Sequence, residues 1–152
     1  MTGCRECGWK LDAGDLLCPN CANLAGSSAR AGAVPRDCPC GVGKLRRARS
    51  GYACRDCGGI WFRWGELGRL LKRESRGRGA RSANRPRRRK RFARVPCVQC
   101  RRPMQKCIFA GTSGVMVDFC RGHGVWLDPG ELTILRAFAR GARGRRALGE
   151  KS

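Results

Sequence analysis

The cysteines of this chain are the residues whose type and spacing point most directly to chemistry. The sequence contains 12 Cys and one His, and most of the Cys stand in C-x-x-C pairs. Thiolate and imidazole are the ligands that zinc prefers in tetrahedral sites, and two such pairs can supply all four of them. In a reducing cytoplasm, paired Cys indicate metal ligation rather than disulfide bonds. A metal would also stabilise segments of about 35 residues, which are too short to fold on a hydrophobic core alone.

The pairs can be grouped into three quartets, which predict three zinc ions. The quartets are Cys4, Cys7, Cys18 and Cys21; Cys38, Cys40, Cys54 and Cys57; and Cys97, Cys100, Cys120 and His123. The second quartet opens with a C-x-C pair, and its shorter turn makes this the site where we expect the weakest binding. Cys107 is left over and is predicted to be a small buried hydrophobe rather than a reactive thiol. The sequence leaves open whether the native ion is zinc or iron.

An internal repeat supports the assignment of the single His as a ligand. Residues 54–67 align with residues 120–132 after a gap of one residue, and His123 falls at the position of Cys57. An exchange of thiolate for imidazole is expected at a zinc ligand and is hard to explain by packing. Trp61 and Trp126 are equivalent in this alignment. We expect each to pack over its metal site and against the following helix, with partner binding or base stacking as the alternative.

Alternation and capping signals place the second and third quartets on hairpins that are each followed by a helix. Val115, Val117 and Phe119 alternate with other residues, as in a half-buried strand. Residues 128–131 read Asp-Pro-Gly-Glu, the pattern of an N-cap at Asp128, a Pro at N1 and a capping-box Glu at N3. The predicted apolar helix faces consist of Leu67, Leu70 and Leu71 in the first repeat and of Leu132, Leu135 and Phe138 in the second.

The second repeat resembles the TFIIB-type zinc-finger (zf-TFIIB) family of small bacterial proteins. The resemblance rests on C-x-x-C at 97–100 and on Cys-x-x-His-Gly-Val-Trp-Leu-Asp-x-Gly-Glu-Leu at 120–132. Residues 38–71 resemble the same family through Cys-Gly-Gly-Ile-Trp and Gly-Glu-Leu, although their C-x-C spacing departs from its pattern. Residues 4–21 look like a short stand-alone zinc ribbon. These resemblances imply a zinc-ribbon fold, the ligands named above and a link to transcription.

The predicted fold class is therefore a small metal-stabilised α+β protein of tandem zinc ribbons joined by a disordered basic linker. The predicted segments are an N-terminal zinc ribbon at 1–24, a first zf-TFIIB-like finger at 36–73, an Arg-rich disordered linker at 74–95, a second finger with its helix at 96–140, and a basic tail at 141–152. Residues 72–96 hold twelve Lys or Arg, one acid and almost no apolar side chains, a composition typical of disorder. The Arg/Gly-rich stretch at 140–146 is expected to be disordered for the same reason.

The chain is strongly basic, with 33 Lys and Arg against 11 Asp and Glu and a formal charge of +22. Thiolate formation at three metal sites would lower this charge to about +17, and the excess would lie in the linker and tail. Arg outnumbers Lys 27 to 6, and guanidinium suits phosphate contacts. A GC-rich genome would explain that ratio but not twelve cations in 25 residues. The predicted contacts to DNA or RNA, largely without sequence specificity, are Arg85, Arg87, Arg88, Arg89, Lys90, Arg91 and Arg94.

These features favour a non-enzymatic cytoplasmic zinc protein that associates with nucleic acid. The alternative is a protein-docking adaptor whose ribbons bind an RNA polymerase or a ribosomal complex. An enzyme is the weakest interpretation, because the one His is assigned to metal and every quartet is closed. A dithiol oxidoreductase would need a C-x-x-C beside a βαβ pattern, which the sequence lacks. We expect no membrane association, since there is neither a long apolar stretch nor a signal-like start. The oligomeric state is left open.

Overall fold

The structure is a computed structural model that describes residues 33–63, 65–77, 94–120 and 122–148, together with the backbone of 2–3 and 10–11. Its strands are β1 (Thr2–Gly3), β2 (Lys10–Leu11), β3 (Leu45–Arg47), β4 (Tyr52–Cys54), β5 (Ile60–Arg63), β6 (Gln105–Ile108), β7 (Met116–Cys120) and β8 (Gly124–Leu127). Its helices are α1 (Glu66–Arg76), α2 (Glu131–Arg140) and α3 (Ala142–Ala147). The described residues thus form antiparallel strands with a few helices, which agrees with the α+β prediction at this coarse level.

The two repeats build a single antiparallel sheet. Its strand order is β3-β4-β5-β8-β7-β6, so each repeat contributes three strands and the pair β5–β8 joins them in the middle. In this pair Trp61 lies opposite Trp126, its own equivalent in the sequence repeat. A residue can pair with its equivalent only at a local two-fold axis, so the two repeats are related like the subunits of a symmetric dimer. Local sequence signals do not predict this shared sheet.

Side chains alternate between the two faces of the sheet along each strand, and both faces carry buried side chains. Phe62 and Val125 point to one face and Trp61 and Trp126 to the other. We call the first the helix-side core; its largest fully buried members are Phe62, Leu67, Leu71, Phe109, Leu127 and Leu135. We call the second the metal-side core; its buried members are Cys38, Leu45, Cys54, Trp61, Val95, Cys97, Val98, Met104 and Trp126.

Helices α1 and α2 cover the helix-side core and contact each other. Glu74 of α1 joins them: its carboxylate accepts a hydrogen bond of 2.7 Å from Arg140 and lies 3.5 Å from Nε of Arg136. Each helix is preceded by a glycine in the left-handed region, Gly65 with φ 80° and Gly130 with φ 88°. A side chain is rarely tolerated at this φ, so the Gly-Glu-Leu of each repeat marks a fixed helix start.

The predicted N-cap role of Asp128 is wrong. Helix α2 begins at Glu131 with Gly130 as its cap, and the carboxylate of Asp128 instead accepts a 3.2 Å hydrogen bond from Nε1 of Trp126. The other half of the predicted capping box is present, because the backbone N–H of Asp128 donates to Glu131 at 2.8 Å. Glu66 accepts an equivalent bond from the backbone N–H of Arg63 at 3.0 Å.

The ordered part of the chain extends beyond the boundaries predicted from composition. Helix α1 continues to Arg76, past the predicted finger boundary at 73, and Ser75 within it is buried. Val95, which was assigned to the linker, is buried in the metal-side core. The Arg/Gly-rich tail forms helix α3 rather than a disordered segment, because Ala147 and Leu148 anchor it in the helix-side core. A few apolar residues therefore order segments whose overall composition is polar.

Two predictions fall outside the described residues. These are the N-terminal quartet of Cys4, Cys7, Cys18 and Cys21, and the linker from residue 78 to residue 93. Among the helices that the structure does describe, none combines the length and the apolar character needed to cross a membrane.

Candidate metal centres

The second quartet comes together where two turns of the first repeat meet. Cys38 and Cys40 lie in the turn before β3, Cys54 ends β4, and Cys57 lies in the turn before β5. The Sγ atoms of Cys38 and Cys57 are 3.6 Å apart, and those of Cys40 and Cys54 are 4.0 Å apart. All four sulfurs lie within 4.8 Å of one another, so the quartet could hold one metal ion.

The third quartet has the equivalent position in the second repeat. Cys97 and Cys100 precede β6, Cys120 ends β7, and His123 lies in the turn before β8. The Sγ atoms of Cys100 and Cys120 are 3.7 Å apart, and Nδ1 of His123 lies 3.7 Å from Cys97 and 3.4 Å from Cys120. This quartet could also hold a metal ion, with His123 binding through Nδ1.

Five ligand-to-ligand distances within the two quartets fit a tetrahedral ion, and the remaining ones are at most 4.8 Å. With Zn–S bonds of about 2.3 Å, two sulfurs of a tetrahedron are about 3.8 Å apart, and a sulfur and an imidazole nitrogen are about 3.6 Å apart. The observed distances of 3.4 to 4.0 Å scatter around these values. The cysteines within residues 33–148 that the structure describes are free thiols, since a disulfide would bring two sulfurs to about 2.05 Å. Two of the three predicted quartets are therefore assembled, one in each repeat.

The C-x-C pair is accommodated by a tighter turn. The carbonyl of Cys38 accepts a hydrogen bond from the backbone N–H of Gly41, three residues later, whereas that of Cys97 accepts one from Arg101, four residues later. Gly41 takes the left-handed conformation in the first turn, with φ 81°, and Arg101 takes it in the second, with φ 63°. The missing residue thus shortens the turn without removing Cys40 from the quartet.

Backbone N–H groups donate hydrogen bonds to several of the cysteine sulfurs. Gly43 donates to Sγ of Cys40 at 3.3 Å, Gly59 to Cys57 at 3.4 Å and Gln99 to Cys97 at 3.4 Å. Such bonds favour the thiolate over the thiol. At Cys40 they outweigh the effect of burial and, with the neighbouring thiols, lower the pKa to about 7. Burial dominates at Cys97 and raises its pKa to about 12 in the metal-free chain. Metal binding must therefore displace at least one tightly held proton from the third quartet.

Each tryptophan of the central strand pair packs on the opposite repeat. A Cβ added at Gly59, two residues after Cys57, would overlap the ring of Trp126. A Cβ added at Gly124, next to His123, would overlap the carbonyl of Phe62 and lie 3.0 Å from Cζ2 of Trp61. Both indoles are buried in the metal-side core, on the face away from the helices. The predicted structural role agrees with this burial, but the predicted packing against the following helix is wrong.

Cys107 lies on the edge strand β6, apart from both quartets. Its side chain is half-buried and packs against the helix-side core. Burial, with a contribution from the charge of Asp118, raises the pKa of Cys107 to about 11. A thiol in this state is a poor nucleophile and ligand, which agrees with its prediction as a hydrophobe.

Two basic concavities beside the first repeat were missed by the sequence analysis. One, of about 730 Å³, is lined by Val34, Arg36, Lys44, Leu45, Arg46, Arg47 and Tyr52. The other, of about 220 Å³, is lined by Arg47, Arg49, Ser50, Gly51, Glu66, Arg69 and Arg73. The run Lys-Leu-Arg-Arg-Ala-Arg at 44–49 was the available signal, but the denser Arg run of the linker concealed it.

The predicted nucleic-acid contacts can be located only in part. Arg94 is exposed next to the buried Val95, while Arg85, Arg87, Arg88, Arg89, Lys90 and Arg91 lie outside the described residues. Comparison of the chain with protein-family models, with curated proteins and with solved structures found no match. The candidate sites therefore rest on the geometry and chemistry of this chain alone.

Proposed function

We propose that this protein is a non-enzymatic, cytoplasmic zinc-binding protein that associates with nucleic acid through its Arg-rich linker and tail. The single observation that carries the proposal is the charge of the chain, +22, which includes twelve cations within residues 72–96. A polyelectrolyte such as DNA or RNA binds a chain of this charge density favourably, because each phosphate contact releases counterions.

Zinc is the ion that best suits the two assembled quartets. Their ligands are seven thiolates and one imidazole, at tetrahedral distances. Sites with four protein ligands are structural, since they leave no coordination position open for a substrate or a reactive water. We include the N-terminal Cys quartet as a third zinc site, which brings the proposed content to three ions per chain.

The ordered tail supports a contribution of its cations to binding. Arg143, Arg145 and Arg146 are exposed on α3, while Ala147 and Leu148 hold this helix against the helix-side core. Cations held on a short anchored helix lose less conformational entropy on binding than cations on a free chain end. On the basis of the resemblance to the zf-TFIIB family, we further propose that the protein binds nucleic acid during transcription.

Salt-dependent binding tests this function. Purified metal-loaded protein is titrated into labelled duplex DNA, single-stranded DNA and RNA at a series of salt concentrations. If six to ten phosphates are contacted, the affinity should fall about 10³- to 10⁵-fold between 50 and 200 mM salt. Replacement of Arg87, Arg88 and Arg89 by Gln should flatten this dependence. A wild-type affinity that does not respond to salt, or no binding to any of the three probes, would contradict the proposal.

One observation favours the second candidate function, a protein-docking adaptor for a polymerase or ribosomal complex. Ile108 and Met116 lie opposite each other on β6 and β7, and they are 38% and 51% exposed. They give the β6 edge an apolar surface that a partner protein could cover. Nuclease-treated pull-downs with the wild type and with an Ile108→Glu/Met116→Glu variant test this alternative. A polymerase or ribosomal protein that binds only the wild type would support it.

A further inference from the structure

We propose that the folded first repeat carries its own binding surface for the phosphate backbone of nucleic acid, along edge strand β3 and the exposed face of α1. We call it the β3–α1 surface. Its cations are Arg36, Lys44, Arg46, Arg47, Arg49, Arg69 and Arg73. This inference rests on the proposed function and deepens it, because it adds a structured contact to the linker and tail.

The β3–α1 surface is continuous and predominantly positive. Its two concavities share Arg47, so they form one basic strip rather than two separate patches. All seven cations are exposed. Two acids lie at the strip. Glu66 is 14% exposed and lies 3.0 Å from Arg47 and 3.4 Å from Arg63, and the exposed Asp37 is paired with Lys44. Seven cations against two acids still leave the strip with a net excess of positive charge.

The equivalent edge of the second repeat lacks this charge. Arg46 pairs with Ala53, the residue before Cys54, and Gln105 likewise pairs with Phe119, the residue before Cys120. Arg47 corresponds to Lys106, whose ammonium group is paired with the buried carboxylate of Asp118 at 2.8 Å. The fold of the two edges is the same while their charge differs. The cations of β3 are therefore not required by the sheet architecture, and binding is the function that they can serve.

The shape and chemistry of the strip suit a phosphate chain. Five of the seven cations are within or next to β3, and Arg69 and Arg73 are one helical turn apart on α1. Guanidinium binds phosphate oxygens in a bidentate manner and is weakly hydrated, so a row of them favours a phosphodiester backbone. Arg47 is also held in place, with its guanidinium 4.9 Å from the centre of the Tyr52 ring.

The strip adjoins the predicted linker contact in the sequence. Helix α1 ends at Arg76, and the Arg-rich segment starts within the next few residues. Because the two basic segments adjoin in the sequence, we infer that they contact the same molecule.

The test compares variants of the full-length, metal-loaded protein. Arg46, Arg49 and Arg73 are exposed residues of the strip, and they are replaced together by Gln. Arg55, Arg101 and Arg102 are exposed cations outside the strip, and their replacement by Gln removes the same charge as a control. A third variant changes the strip residues to Lys. Binding to labelled duplex DNA is measured over a salt series, and metal content confirms that each variant is folded.

The plot of log K against log salt has a negative slope, and the strip Gln variant should reduce the magnitude of that slope by about 3. Each lost phosphate contact removes about 0.9 from it. The control and the Lys variant should keep the wild-type slope. A strip Gln variant with the wild-type slope would overturn this inference and leave the linker proposal standing. Equal losses in the control, or in the Lys variant, would also overturn it, because the effect would then not depend on charge at this place. A flat wild-type response would overturn both proposals.

Discussion

Trp61 lies directly opposite Trp126 in the central strand pair, and the two residues are equivalent in the sequence repeat. Both indoles are buried, and each packs on a glycine of the other repeat, next to the other repeat's metal quartet. The two repeats are therefore not independent folding units. Each completes the core of the other, so loss of metal from one quartet should weaken the packing of both.

The two tryptophans differ in one polar contact, and this difference should be measurable. Nε1 of Trp126 donates to Asp128, whereas Nε1 of Trp61 finds no partner among the described residues. The reason is that Arg63 stands where the second repeat has Asp128, and Arg offers no acceptor. Trp126→Phe should therefore cost about 1–3 kcal/mol more than Trp61→Phe in denaturant unfolding of the metal-loaded protein. Equal costs would show that the hydrogen bond contributes nothing net.

The crossed packing of the tryptophans predicts a strict requirement for glycine. A methyl group at Gly59 would overlap the Trp126 ring, and one at Gly124 would overlap the backbone of β5. Gly59→Ala and Gly124→Ala should each destabilise the protein by about 1–3 kcal/mol, as overpacked core substitutions do. Gly122 has open space around it, so Gly122→Ala is the matched control and should change stability by less than about 0.5 kcal/mol. Thermal unfolding of the three variants checks this prediction.

Metal content should respond to individual cysteines in a way that identifies the quartets. Cys40→Ala and Cys100→Ala each remove one ligand of an assembled quartet, and each should lower the metal content by one ion per chain relative to wild type. Cys107→Ala is the control and should leave the content unchanged. Elemental analysis of anaerobically purified protein gives the numbers. An unchanged content in Cys40→Ala would show that the C-x-C pair does not bind metal.

The pH dependence of stability should carry a contribution from Glu131. Burial raises the pKa of this carboxyl to about 7, against the bond from the Asp128 N–H and with help from the charges of Asp128 and Asp118. The folded chain then holds the proton more tightly than the unfolded chain, whose pKa is about 4.3. The stabilisation from this group is complete below the lower pKa and is lost as the pH rises through about 7.

Glu131→Gln removes this titration while keeping an acceptor for the Asp128 N–H. Between about pH 4 and about pH 7, the range of the two pKa values, wild-type Tm should fall relative to the Tm of the Gln variant. Both proteins keep all metal ligands, so protonation of thiolates affects them equally and cancels in the difference. A Tm difference that does not change with pH would mean that Glu131 titrates as an exposed carboxyl.

The grouping of the Cys and His side chains was the feature best predicted from the sequence, because candidate ligands are identified by residue type and spacing alone. Two quartets were assigned residue by residue, and the structure assembles both. The strand at Met116–Cys120 follows from alternation and the two helices follow from their apolar faces, although α2 begins at Glu131 rather than at Pro129 as predicted. Capping was predicted less well, because Asp128 can serve Trp126 or the helix end and only the packing decides between them.

Composition was a poor guide wherever a few apolar residues outweigh many polar ones. Val95, Ala147 and Leu148 order segments that average composition assigned to disorder. The basic strip was missed for a related reason: it combines β3 with α1, and a charge count along the chain cannot show that two distant segments line one surface.

The sequence by itself determined the ligand sets, the repeat and the excess of positive charge, since each of these depends on which residues are present and how far apart they stand. Only the tertiary structure decided that the two repeats share one sheet, that Trp61 meets Trp126, and that Arg46 and Arg73 lie on one surface. The physical reason is that these relationships come from burying two apolar faces at once. That burial depends on how the strands of both repeats pair, which local spacing does not encode.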